Sequence, residues 1–183
     1  MAKLPSGQPK SSGDGARVPE ALYLDLTRSI ATLADDADFA AFCCCGDNDP
    51  AWIEEVEDYV RGSVLRRVEH TLAFRDGQGD LIAVSAFAER VIRVPIVDPV
   101  AHEGWHLQVV AISLEHQRQR LSKQIFEQTF AAMREIDASR VYVTANVHRE
   151  HRSSRKACSE VGIDLWTPLD DHYVVLLGEV PSS

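Results

Sequence analysis

The chain has 183 residues, 45% of them hydrophobic, and a formal net charge of −9 from 19 basic and 28 acidic side chains. That length and apolar content suffice for one domain with its own core, and no apolar run approaches the ~20 residues that a membrane-spanning helix needs. The acidic balance disfavours general nucleic-acid binding, which relies on Lys and Arg to neutralise phosphates.

The opening stretch, MAKLPSGQPKSSGDGARVPE, lacks the apolar centre of a secretory signal. Its Gly, Ser, Pro and Lys content reads as a flexible lead over 1–20, with one domain over 21–183 and a cytoplasmic location. Leu22, Leu24 and Leu26 alternate with polar neighbours as a first strand would, although a helix through Ile30 and Leu33 competes. Residues 35–42 read as helical. Asp49 and Pro50 open a further helix, Asp as N-cap and Pro in the first turn, with Trp52, Ile53, Val56, Val60 and Val64 as its apolar stripe.

Alternation over 70–74, turn residues at 76–79 and the run LIAVSAF predict a β-hairpin. Residues 90–97 read as another strand, bounded by Pro95 and Pro99. The run WHLQVVAIS (105–113) alternates and then turns continuously apolar, as a central strand does. Leu121, Ile125, Thr129, Ala132, Met133 and Ile136 recur at helical spacing. A strand over 141–147, a short helix over 154–161 stopped by Gly162, and a final strand over 173–180 complete the pattern. Antiparallel strands followed by strand–helix alternation predict a mixed α/β domain on one sheet.

Cys43, Cys44, Cys45 and Cys158 lack the spacing of a metal site, and His148 with His151 is a pair without a third ligand. No metal is expected, and the cysteines read as reduced thiols.

The sharpest local signal is LEHQRQRLS at 114–122, where a predicted strand turns into a helix. Such turns gather free backbone N–H groups at the positive end of the helix dipole and favour anions. Seven of the 19 basic residues fall in two short windows at predicted helix starts: Arg118, Arg120 and Lys123, then Arg149, Arg152, Arg155 and Lys156. In an acidic chain this reads as a local anion site, against the alternative of two solvated helix faces.

The order of elements resembles the GNAT superfamily of acyl-CoA-dependent N-acyltransferases. The family's phosphate loop, (Gln/Arg)-x-x-Gly-x-(Gly/Ala), often follows Pro-Glu-His; here Glu115 and His116 precede Gln117, while Arg120 and Ser122 stand at the glycine positions. Many members then show Asn-x-x-Ser, seven residues and Gly-(Phe/Ile). In HRSSRKACSEVGI, Ser154, Gly162 and Ile163 keep that register, with His151 in place of the asparagine. FCCCGDND at 42–49 is similar to the Phe-x-Cys-Gly opening of members that include toxin-type enzymes acting on aminoacyl-tRNA.

The resemblance implies a central mixed sheet flanked by helices and acetyl-CoA as co-substrate. By register, the main chain at Val110 and Ile112 would pair with pantetheine. The pyrophosphate would lie on Gln117, Arg118, Gln119, Arg120, Leu121 and Ser122, with His151 and Ser154 nearby. Arg120 either adds a charged contact to phosphate or blocks the cradle that glycine would leave open. Glu89, Glu103 and His106 are the candidate bases. Cys158 stands where the family usually has its acidic tyrosine, so Tyr173 is the substitute acid. The leading expectation is transfer of an acetyl group from acetyl-CoA to an amine of a small molecule or protein. The alternative is a degenerate binding or regulatory module without catalysis, and a homodimer is open under either.

Overall fold

The computed structural model describes residues 25–32, 35–67, 70–94 and 98–182. In chain order the elements are β1 (Thr27–Ile30), α1 (Asp36–Ala41), α2 (Ala51–Arg67), β2 (His70–Arg75), β3 (Leu81–Val94), β4 (Asp98–Ile112), α3 (Leu121–Ile136), β5 (Tyr142–His148), α4 (Arg152–Glu160), β6 (Ile163–Pro168) and β7 (Tyr173–Glu179). They form a seven-stranded sheet in the order β1-β2-β3-β4-β5-β7-β6. β4 and β5 run parallel, and the other neighbouring pairs are antiparallel. No helix among the described residues is long and apolar enough to cross a membrane.

The period-two pattern of each strand sends alternate side chains to opposite faces. On one face Phe74, Phe87, Trp105 and Val143 pack against Ile125, Phe130 and Met133 of α3. On the other, Ala73, Val84, Ala86 and Val109 pack against Phe39 and Phe42 at α1 and Val60 of α2. Removing each such large side chain from water is worth ~1.5–3 kcal/mol, so the two faces together hold the sheet between the helix layers. The hairpin turn forms as its composition predicts. The Asp76 carboxylate accepts from the N–H groups of Gln78 (2.9 Å) and Asp80 (3.0 Å), and Gly79 takes φ +94°.

The outcome differs from expectation in places. Among the described residues the first strand is Thr27–Ile30; of the strand expected over Leu22, Leu24 and Leu26, Leu26 precedes it, and Leu22 and Leu24 lie outside the described residues. The strand expected over 90–97 is the continuation of β3, which runs unbroken for 14 residues. Residues 95–97 lie outside the description, and Pro99 sits next to the start of β4, where a missing N–H is tolerated. β6 follows Gly162 directly and has no alternation long enough to announce it. Asp49 closes a turn before α2 by accepting from the Gly46 N–H at 2.8 Å.

Candidate functional site

β4 and β5 pair only over Gly104–Leu107 and Tyr142–Ala145, yet β4 continues to Ile112 and β5 to His148. Beyond Leu107 the two strands therefore part and leave a gap in the sheet. A bulge falls at the same point: Phe87 pairs with Leu107 and Ala86 with Val109, so Gln108 is the extra residue. The bulge exchanges the faces. Trp105 and Leu107 lie in the α3-side core, whereas after it Val109 and Ala111 join the α2 side. Ser113 N–H donates to Ile82 O of β3 at 2.8 Å. Strand alternation then turns the main-chain groups of Val110 and Ile112 away from β3, into the gap.

A short 3₁₀ turn, Leu114–His116, leads into the basic loop. There Arg118 and Arg120 both adopt the left-handed conformation, at φ 63° and 60°. This is the backbone region that glycine enters without strain and that costs other residues about 1 kcal/mol each. Arg120 is the N-cap of α3 and makes no side-chain capping bond. The first N–H groups of this 16-residue helix thus face an open groove of about 610 Å³ between α3 and α4. Arg120, Ser122, Lys123, Ser153 and Lys156 are among its lining residues. The helix dipole, Arg120 and Lys123 favour an anion here in a protein of net charge −9, while Glu160, which also lines the groove, pairs with Lys156 at 3.7 Å.

The α2 side of the gap carries the other polar groups. His106 Nδ1 lies 3.0 Å from Thr144 Oγ1, beside the last paired residues of β4 and β5. Burial, with Arg90 adding to it, lowers the His106 pKa to about 4, so the ring is neutral at pH 7. Tyr59 of α2 donates its hydroxyl proton to the side chain of Gln108, the bulge residue. Trp52 stacks on His148 with centroids 4.7 Å apart and planes 9° from parallel, and its other ring neighbour is His151 at 4.7 Å. Tyr173 packs edge-on against His148 and directs its hydroxyl to Glu55 Oε2 at 3.5 Å. Burial and then Glu55 raise the Tyr173 pKa, which keeps the phenol protonated.

His106 carries a stability signature. Its folded-state pKa lies below the ordinary value of 6.5, so the unfolded chain binds the proton more readily. Its contribution is complete above about pH 6.5 and disappears as pH falls towards 4. His151, lowered first by burial and then by His148, adds to the same window. His106→Asn is expected to flatten the fall in Tm between pH 6.5 and 4.5; an unchanged slope would show that His106 is not held neutral by burial.

No protein-family model matches the sequence, and no curated protein does either. Solved structures do. A bacterial toxin matches with a TM-score of 0.65 at 14% identity, over 86% of this chain and 92% of the toxin. A mutant of the toxin AtaT, bound to the C-terminus of the antitoxin AtaR and acetyl-CoA, matches at 0.57 and 13%, over 85% and 94%. A GNAT-family acetyltransferase from Listeria monocytogenes matches at 0.56 and 14%, over 87% and 98%. AtaT has also been solved with acetyl-methionyl-tRNA.

The chain has the GNAT fold.

Within the GNAT fold the expected residues separate. Val110 and Ile112 meet the gap, and Gln119 to Ser122 line the groove while Gln117 and Arg118 are not among its lining residues; the Leu121 side chain is 3% exposed and belongs to the core. That leaves its main-chain N–H as the group available to a ligand. Gln117 is also turned inward: its Nε2 donates to Cys44 O (2.6 Å) and Ile112 O (3.1 Å). His151 bonds Ser154 at 2.8 Å and packs on Trp52, whereas Ser153, Lys156, Ala157 and Glu160 are the α4 residues that line the groove. α4 begins at Arg152, two residues before the expected start.

Glu89 and Glu103 are held elsewhere. Arg140 binds Glu89 at 2.6 Å, Glu103 at 3.4 Å and Asp137 at 3.0 Å, and its guanidinium lies 5.6 Å from the centroid of Trp105. Alternation from Trp105 and Phe87 puts both carboxylates on the α3 face, opposite His106. Trp52, read from the sequence as core, instead stacks at the rim, and Tyr59 and Gln108 had no signal at all. Cys158 is 3% exposed and burial pushes its thiol up to about 12.

Proposed function

We propose that the chain is an acyl-CoA-dependent N-acetyltransferase, moving the acetyl group of acetyl-CoA directly to an amine of a small molecule or protein. The observation that carries this reading is the left-handed Arg118–Arg120 turn at the head of α3, opening onto the same end of the sheet as the β4–β5 gap. The residues present fit the ligand. Main-chain groups at Val110 and Ile112 are the partners for pantetheine amides. The N–H groups at the α3 start, with Arg120 and Lys123, suit a pyrophosphate. The acetyl-CoA bound to the AtaT mutant supports the same ligand here.

Acyl transfer to an amine needs a group to take the amine proton and another to protonate the departing thiolate. His106 is the base in this reading: it is neutral at pH 7 and adjoins the point where β4 and β5 part. Tyr173 is the acid, on the same face and protonated beside Glu55. Glu89 and Glu103 take no part, because Arg140 neutralises them on the other face. Tyr173→Phe is expected to lower kcat at least about tenfold while leaving the acetyl-CoA Kd unchanged; an unaltered kcat would remove Tyr173 from the chemistry.

The acidic surface favours a cationic acceptor by steering. The direct test is release of free CoA thiol from acetyl-CoA across a panel of amines, peptides and aminoacyl-tRNA, the last included because of the AtaT complex. Thiol release with an amine supports the enzyme. A second reading, a binding or regulatory module as monomer or homodimer, is favoured by Cys158, a buried thiol that cannot act as the family's tyrosine does. Acetyl-CoA binding without turnover on any acceptor would select it.

A further inference from the structure

Glu57 of α2 is 5% exposed, and a carboxylate so placed is costly unless its oxygens are fully engaged. They are. Oε2 accepts from the N–H of Cys44 (2.7 Å), the N–H of Cys45 (3.0 Å) and the Cys45 thiol (3.0 Å). Oε1 pairs with Arg61 at 2.7 Å, and Arg61 Nε in turn donates to Phe42 O at 2.7 Å. Burial alone would raise the Glu57 pKa; the bonds from Cys45 and Cys44, with Arg61, outweigh it and hold the carboxylate ionised.

This strap fixes residues 42–45 on α2 and leaves the carbonyls of Cys43 and Cys44 pointing at the basic loop. Cys43 O accepts from Leu114 N–H at 2.8 Å, and Cys44 O accepts from Gln117 Nε2 at 2.6 Å. The same Gln117 amide reaches Ile112 O at 3.1 Å. Gln117 immediately precedes the left-handed Arg118–Arg120 turn. An unbroken series of hydrogen bonds therefore runs from α2, which also carries Trp52, Glu55 and Tyr59, to the loop at the head of α3. None of its links touches the groove itself.

We propose that Glu57 is a positioning residue for the acyl-CoA loop, acting through Cys44 and Gln117, so that α2 and the cofactor loop share one internal strut. The inference rests on the acetyltransferase reading for its ligand and on the hydrogen bonds alone for the strut. Losing a buried hydrogen-bonded carboxylate frees several donors at once, and the loop it holds loses its fixed place.

Calorimetry with acetyl-CoA tests it on Glu57→Ala, Gln117→Ala and the double variant. Each single change is expected to raise Kd about tenfold, and the double change no further, because both cut one series. Glu57→Gln keeps an acceptor oxygen and is expected to stay within about threefold of the parent. Amide exchange gives a readout independent of the ligand: residues 114–120 should exchange at least about tenfold faster in Glu57→Ala. In Gly162→Ala, which strains the turn after α4 and touches none of these hydrogen bonds, they should exchange at the parent rate. Should Glu57→Ala fail to fold, Gln117→Ala carries both arms with the carboxylate intact. Additive losses in Kd, or unchanged exchange at 114–120, would overturn the proposal. If the parent protein binds no acetyl-CoA, the functional reading falls, and the exchange arm still decides the strut.

Discussion

Reversing the charge at Arg120 is expected to weaken acetyl-CoA binding about a hundredfold at low ionic strength. The position does two separable things. Its backbone, at φ 60° and ψ 24°, shapes the N-terminus of α3, and its side chain lines the groove that those N–H groups face. Arg120→Glu leaves the backbone requirement as it was and replaces an attractive charge with a repulsive one. Arg120→Gly does the opposite. It relieves a left-handed residue of about 1 kcal/mol of strain and so raises Tm, while forfeiting the guanidinium and weakening binding several-fold. A tighter complex in Arg120→Gly would mean that the side chain occupies the place of the phosphate. An unchanged Kd in Arg120→Glu would put the residue outside the site.

Gly178→Ala is expected to destabilise the fold by about 3 kcal/mol or more, read as a fall in the denaturant midpoint. Gly178 lies inside β7, paired with Val143 on one side and Ile163 on the other. A Cβ there would run into the Gly162 carbonyl oxygen and come within 2.8 Å of Ile163 Cα. Both obstacles are backbone, so no rotamer can relieve them. Any shift would move the turn from α4 into β6, and with it the helix that forms one wall of the groove. Gly162→Ala is the control: its φ of +83° strains alanine, but space around it is open, and a cost of about 1 kcal/mol is expected.

Much of the architecture is legible in the sequence because it follows from local periodicity. α3 announces itself through Leu121, Ile125, Thr129 and Met133, and each of those side chains is buried. The hairpin follows from Asp76 and Gly79. The failures fall where local pattern and tertiary pairing diverge. Pro95 and Pro99 divide the sequence, yet β3 and β4 form one long ladder, because a proline such as Pro99 near a strand start removes little from it; Pro95 lies outside the described residues. β6 is a strand chiefly because β7 is beside it.

The site divides in the same way. The position of the basic loop is readable, since a strand-to-helix turn with clustered cations needs no long-range information. Its conformation is not, because arginine carries no signal for positive φ. Glu89 and Glu103 look like bases next to a central strand until Arg140, which binds both, is placed by the fold. Trp52 sits at a helical spacing typical of core, and only the meeting of α2 with β5 turns it onto His148. Glu57 has no sequence signature, because its partners at Cys44 and Cys45 are backbone amides and a thiol.

The central claim is that a loop without glycine, held in a glycine-like shape by Arg118 and Arg120, still receives acyl-CoA. Titration of the purified protein with acetyl-CoA in a calorimeter tests it most directly. Saturable heat with a Kd in the micromolar range, about −8 kcal/mol of binding free energy, is the result expected. No heat and no rise in Tm at millimolar acetyl-CoA would contradict it.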